Sequence, residues 1–182
     1  MIHNEHDTRH EAAMSVARLM MAAARTAPKG KGLDSLEIVT LGGDDLLKTA
    51  AHMRKIWERC RRDLFMRDAG NLERSEALVL IGTRISVVGM DCGYCGFATC
   101  GEKAEHPLVP CAFNVTDLGI AVGSAVSVAS GHHMDNRVMF SAGIAALELG
   151  YLPDCRAAYG IPLSCTSKNP FFDRVYPPKP AQ

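Results

Sequence analysis

Four of the chain's seven cysteines fall within twenty consecutive residues, in "DCGYCGFATC" (residues 91–100) and at Cys111. Cys92, Cys95, Cys100 and Cys111 follow the spacing Cys-x2-Cys-x4-Cys-x10-Cys. A two-residue gap lets one tight turn aim both sulfurs at a single centre, and Gly93 and Gly96 each follow a cysteine where the backbone must turn sharply. Three chemistries compete for such an array. An iron–sulfur cluster takes four thiolates, and the array supplies four. A structural zinc ion also accepts four, commonly as two short-gap pairs, with His106 as a possible substitute ligand. A redox dithiol of the Cys-x-x-Cys kind would use only the first pair. Pro110 restricts the approach to Cys111, and Phe97, Leu108 and Val109 are the hydrophobes expected to keep water from the site. Asp91, Glu102 and Glu105 would lower the reduction potential of a cluster that they faced.

The totals narrow the setting. A chain of 182 residues fits one domain, residues 1–182, with the segment 90–112 as its cysteine module. At 47% hydrophobic and 22% charged residues the composition is that of a globular protein. Twenty basic and twenty acidic side chains cancel, so no net field favours nucleic acid or a membrane surface. The N-terminus "MIHNEHDTRHE" has no apolar signal core, and "LGIAVGSAVSVASGHHM" is too short and polar for a membrane span. A cytoplasmic protein is expected. In a reducing compartment clustered cysteines mean metal or redox chemistry, and an odd number cannot pair completely. Cys60, Cys155 and Cys165 stand apart and read as small buried hydrophobes.

The elements that position the module follow from periodicity. Residues 11–25 place Ala12, Val16, Leu19, Met20 and Ala23 on one helical face, and "TAPKGKG" ends that helix. "SLEIVTL" (35–41) alternates as a strand, a second helix runs from Asp44 to about Met66, and "EALVLIGTRISVV" (76–88) is a buried strand. After the irregular cysteine segment, Asn114 is the expected cap of a helix with Asp117 at its third position, running to Gly131. A helix over 137–149 stops at Gly150, and "CRAAYGIPLS" (155–164) is the last strand. The tail "NPFFDRVYPPKPAQ" is extended, with Phe171 and Phe172 docking on a surface. Strands alternating with helices make the fold α/β or α+β.

Other candidates have plainer readings. Lys29 and Lys31, behind Pro28, form a turn that could meet a phosphate, although "APKGKG" is not the phosphate-loop pattern. Arg54, Lys55, Arg59, Arg61 and Arg62 are interleaved with Glu58 and Asp63, as on a solvated face. "LMM" (19–21) is core packing, His3, His6 and His10 lie near a chain end, and His132 and His133 mark a polar turn. Ser164, Lys168 and Asp173 form no nucleophile–base set, while Lys168 and Arg174 are candidate contacts for an anion. Gly119 and Gly123 suit close helix packing.

The cysteine array resembles the four-cysteine [4Fe-4S] module of the B subunit of ion-translocating electron-transport complexes and of corrinoid iron–sulfur proteins. That resemblance implies Cys92, Cys95, Cys100 and Cys111 as the ligands. The combination of "CGYCGF", "DLGIAVGSA", "DNRVMFSAGIAALELGY" and "GIPLSCTSKNPFFDR" is similar, over nearly the whole chain, to a prokaryotic family of ferredoxin-domain-containing proteins. "AAARTAPKGKGLDSLEIVTL" is similar to the helix–loop–strand opening of flavin-dependent nitroreductases. This second resemblance implies an α+β fold, a homodimer, and FMN at the subunit interface with Pro28, Lys29 and Lys31 nearest to it. Gly32 and Asp34 stand where that family has amide side chains, and Arg9 and His10 where it has an arginine pair. Together the resemblances imply electron transfer or an oxidoreductase reaction with a redox partner. The alternatives are a non-catalytic scaffold with structural zinc and an iron–sulfur sensor.

Overall fold

A computed structural model describes residues 2–173 of the chain. Its centre is an antiparallel sheet in the order β1-β2-β4-β3, formed by Leu36–Leu41 (β1), Ala77–Thr83 (β2), Asp135–Asn136 (β3) and Ala157–Ser164 (β4). β2 is buried along its whole length, because successive side chains feed two separate cores. Ala77, Val79 and Ile81 face the helices α1 (Glu5–Thr26) and α5 (Ala112–Gly131). Leu78 and Leu80 face α2 (Asp44–Cys60), α3 (Leu64–Leu72) and α6 (Phe140–Glu148). A five-residue helix, α4 (Cys100–Ala104), lies outside these layers in the cysteine segment. The fold is α+β, as the sequence leads one to expect, with helices on both sheet faces.

Several boundaries differ from those read in the sequence. Helix α1 begins earlier, because Asn4 Oδ1 accepts the N–H of His6 at 3.1 Å and caps it. Its buried face is Ala13, Val16, Ala17, Met20 and Ala24, one step round from the expected stripe, and Leu19 is 50% exposed. The expected helix 44–66 breaks at Arg61, whose left-handed backbone (φ 54°) closes α2 and turns the chain into α3. β2 ends at Thr83, five residues before the expected end. Helix α5 starts at Ala112 with Cys111 as its cap, so Asn114 lies inside the helix. Helix α5 is long and apolar enough to cross a membrane by length and composition. Here it packs against α1 and the sheet through Leu118, Ala121, Val122, Ala125 and Ala129.

The tightest packing joins α6 to β4. A Cβ added at Gly143 would lie 1.9 Å from the carbonyl oxygen of Ala158, a contact with rigid backbone on both sides. Gly143→Ala is therefore expected to destabilise the protein by about 2–3 kcal/mol, the usual cost of forcing extra volume into a packed core. Urea unfolding measures this directly, and an unchanged midpoint would show that α6 and β4 are not so closely seated.

Candidate functional site

The four cysteines come from one short turn and two helix starts. Gly93 and Gly96, with φ of 72° and 88°, bracket Tyr94 and Cys95 in a turn closed by Gly96 N–H donating to Gly93 O at 2.9 Å. A side chain at either glycine would strain that turn. Cys100 is the first residue of α4, whose cap Thr99 accepts the N–H of Glu102 through Oγ1 at 3.1 Å. Glu102 reaches back to accept the N–H of Ala98 at 3.0 Å, a close variant of the capping box. Cys111 caps the twenty-residue helix α5. Two of the four sulfurs therefore sit at helix N-termini, where the partial positive charge favours an anionic ligand.

All four cysteines line one narrow recess. Its remaining wall is mainly apolar: Val87, Val88, Met90, Phe97 and Phe113. Phe97 shields the site as expected. Leu108 and Val109 do not, for they lie on a separate surface depression with His106, and Leu108 is 81% exposed. His106 stacks on Phe97 at 4.9 Å between centroids and does not line the recess. Cys92 is exposed, Cys95 and Cys100 are half-buried, and Cys111 is 5% exposed, so the recess opens to solvent on the Cys92 side. Among the described residues no three Cys, His, Asp or Glu side chains converge as the ligands of one ion do.

The charges around the recess are arranged differently from the expectation. Asp91 has a left-handed backbone (φ 47°) and its carboxylate accepts the N–H of Cys100 at 2.6 Å. In return the N–H of Asp91 points at Cys100 Sγ, 3.2 Å away. The carboxylates of Asp91 and Glu102 are thus both bound to backbone donors. Lys103, which the sequence pattern did not single out, is 2% exposed and lines the recess. Its position three residues after Cys100 on a short helix is the signal that would have found it.

The loop after α1 was the other candidate. Pro28 and Lys29 line a shallow depression with Arg25 and Asp34; Lys31 does not. Lys29 Nζ donates to the carbonyls of Arg25 (2.6 Å) and Ala27 (2.8 Å), closing the C-terminal end of α1. Lys31 Nζ donates to Gly89 O at 2.6 Å, across to the segment that leads into the cysteines. The N–H of Gly30 meets both carboxylate oxygens of Asp117 at 3.1 Å. Arg25 is paired with Asp34. Burial opposes charge on Asp34, but the N–H of Leu36 and the Arg25 guanidinium outweigh it and hold the carboxyl below its ordinary range. The lysines of the loop are engaged by backbone carbonyls, Arg25 by Asp34, and the Asp34 and Asp117 carboxylates stand beside them.

The remaining candidates resolve simply. Arg54 pairs with Glu73 and Arg59 with Glu148, each at 2.7 Å, and Arg61 lies over the Trp57 ring. Lys168 pairs with Asp173 at 2.9 Å, and Arg174 lies outside the described residues, as does the rest of the tail beyond it. Phe171 is buried as expected, whereas Phe172 is exposed and faces Arg137. All seven cysteines are free thiols. Of the scattered three only Cys155 is buried; burial pushes its thiol up to about 11, while Cys60 is exposed.

The frame has the nitroreductase fold. It superposes on a BluB-like flavoprotein from Clostridium difficile 630 with a TM-score of 0.58 and 18% identity, covering 92% of this chain and 85% of that one. A nitroreductase with bound FMN from Desulfitobacterium hafniense DCB-2 gives a TM-score of 0.53 and 12% identity, over 92% and 82% of the two chains. In sequence, residues 109–174 match the family described as "Uncharacterized protein containing a ferredoxin domain (DUF2148)", a stretch that includes Cys111. A protein of Archaeoglobus fulgidus, described as "Uncharacterized protein", is 43% identical over 183 residues, covering 96% of this chain and 98% of its own. The chain belongs to this ferredoxin-domain family.

The Asp91–Cys100 exchange generates a prediction that needs no bound metal. Asp91→Ala removes a charged acceptor from the Cys100 N–H, worth about 1.5 kcal/mol, and speeds hydrogen exchange at that amide about tenfold. Asp91→Asn keeps an acceptor and tolerates the left-handed backbone, so exchange is expected to stay near the wild-type rate. Equal exchange rates in all three proteins would show that the contact does not hold the loop.

Proposed function

We propose that the protein is an iron–sulfur electron-transfer protein, a carrier or a component of an oxidoreductase, in which Cys92, Cys95, Cys100 and Cys111 hold a [4Fe-4S] cluster. The observation that carries the reading is that these four cysteines line one apolar-walled recess, in a chain of a ferredoxin-domain family. A tetrahedral zinc ion with Zn–S bonds of ~2.3 Å needs its sulfurs ~3.8 Å apart. The spacing has only one short-gap pair, whereas structural zinc sites with four cysteines commonly use two, and this favours the cluster. When bound, such a cluster accepts and returns one electron at a time.

The chain's own residues have separable parts in this. Helices α4 and α5 present Cys100 and Cys111 at their positive ends, and the Gly93–Gly96 turn directs Cys92 and Cys95. Val88, 5% exposed, and the half-buried Phe113 keep water from the inner side, which strengthens charge interactions at the sulfurs. The exposed side at Cys92 and Tyr94 is the side from which a redox partner reaches the site.

Protein purified without oxygen, or rebuilt with iron and sulfide, is expected to contain iron and acid-labile sulfide in equal amounts. Its broad visible absorbance should bleach with dithionite. Cys111→Ser should lose most of the iron, while Cys155→Ser, outside the recess, keeps it. A colourless protein with one equivalent of zinc would overturn the reading in favour of a structural metal. A yellow chromophore released on denaturation would assign FMN in addition, against the engaged state of Lys29 and Lys31.

A further inference from the structure

Lys103 is a cation in the wall of the recess with no ion pair among the described residues. It is 2% exposed, it lines the recess of the four cysteines, and neither hydrogen bond nor ion pair engages its ammonium among the described residues. The acidic groups in this segment that are bound to the protein are turned elsewhere: Asp91 to the Cys100 N–H and Glu102 to the Ala98 N–H. No buried side-chain nitrogen or oxygen among the described residues lacks a partner, so the ammonium keeps some contact with water while its stem is buried in the wall. The four cysteines line the same recess, and a cluster bound by them as thiolates would carry net negative charge beside this cation.

We infer that Lys103 is the built-in counter-charge of the cysteine site, holding the anionic cluster and raising its reduction potential. The inference rests on the proposed iron–sulfur reading. Uptake of one electron from a one-electron donor, such as a reduced protein carrier, makes the site one unit more negative and forms or breaks no bond. A fixed cation in the recess stabilises the more negative state more than the less negative one, which favours reduction. The N–H of Asp91 aimed at Cys100 Sγ acts in the same direction. Lys103 is thus a positioning and charge-setting residue and not a ligand.

The test compares wild type with Lys103→Met, which keeps the length of the side chain and removes its charge, and Lys103→Arg, which keeps the charge. Each is rebuilt anaerobically with iron and sulfide, checked for fold by circular dichroism, and titrated with redox mediators while visible absorbance and electron paramagnetic resonance are recorded. Lys103→Met is expected to shift the reduced-to-oxidised ratio at fixed potential about tenfold toward the oxidised form, ~59 mV for a one-electron couple. Lys103→Arg should stay close to wild type. A folded Met variant that loads no iron while the Arg variant loads normally also supports the counter-charge. Wild-type potential in a loaded Met variant overturns the inference, and so does equal loss of iron in both variants, which would make Lys103 a packing residue. If Lys103→Met does not fold, Lys103→Gln carries the same comparison. A wild type that takes up no iron and sulfide removes the cluster reading itself and this inference with it. A wild type that loads normally confines any failure to Lys103.

Discussion

The cysteine site depends on how the first turn of α5 is held. Two buried polar side chains, Asn114 and Asp117, anchor that turn from opposite directions. Asn114 accepts the N–H of Ser86 at 3.0 Å and donates to Ser86 Oγ at 3.1 Å, fixing the chain as it leaves β2. Asp117 takes the Gly30 N–H with both oxygens, fixing the loop that follows α1. Either group left unsatisfied in the interior would cost about 1–3 kcal/mol, more for the carboxylate, so each contact holds its segment firmly. Cys111 stands three residues before Asn114, and its position is inherited from this arrangement.

The same turn connects the two regions that looked separate in the sequence. Phe113 packs against Gly30, where an added Cβ would come within 3.0 Å of the ring, and it stacks on Tyr94 of the Cys92–Cys95 turn at 6.3 Å between centroids. Lys31 closes the circuit by donating to Gly89 O. The loop that resembles a flavin-binding turn thereby becomes a brace for the cysteine segment. Its lysines bond carbonyls and Gly30 bonds a carboxylate, so the loop is tied both to α1 and α5 and to the segment that leads into the cysteines.

The parts legible in the sequence were those with strong local signals. The cysteine spacing, the apolar run of β2 and the Gly150 stop of α6 each rest on a few neighbouring residues. The parts that were not legible were decided by distant ones. Asn114 has a strong preference for a helix cap, yet its side chain is taken by Ser86, and Cys111 caps α5 instead. Arg61 ends α2 in a left-handed conformation without the glycine or proline that marks such breaks, stabilised by its guanidinium over Trp57. The buried stripe of α1 missed by one residue because a helix rich in alanine and methionine offers two nearly equivalent apolar faces. The contact with α5 and the sheet decides between them.

The charge pattern of the recess was the least legible part, for a physical reason. A sequence displays Asp91, Glu102 and Glu105 beside the cysteines and suggests a negative surround. Direction matters more than proximity. Asp91 and Glu102 both find backbone N–H donors, which neutralise much of their field toward the sulfurs. Lys103 is buried in the wall that the four cysteines share, and under the inference above its charge offsets theirs. A module that reads as acidic in sequence thus ties two of its carboxylates to backbone donors and sets a lysine beside its four cysteines, the polarity that a four-thiolate site requires.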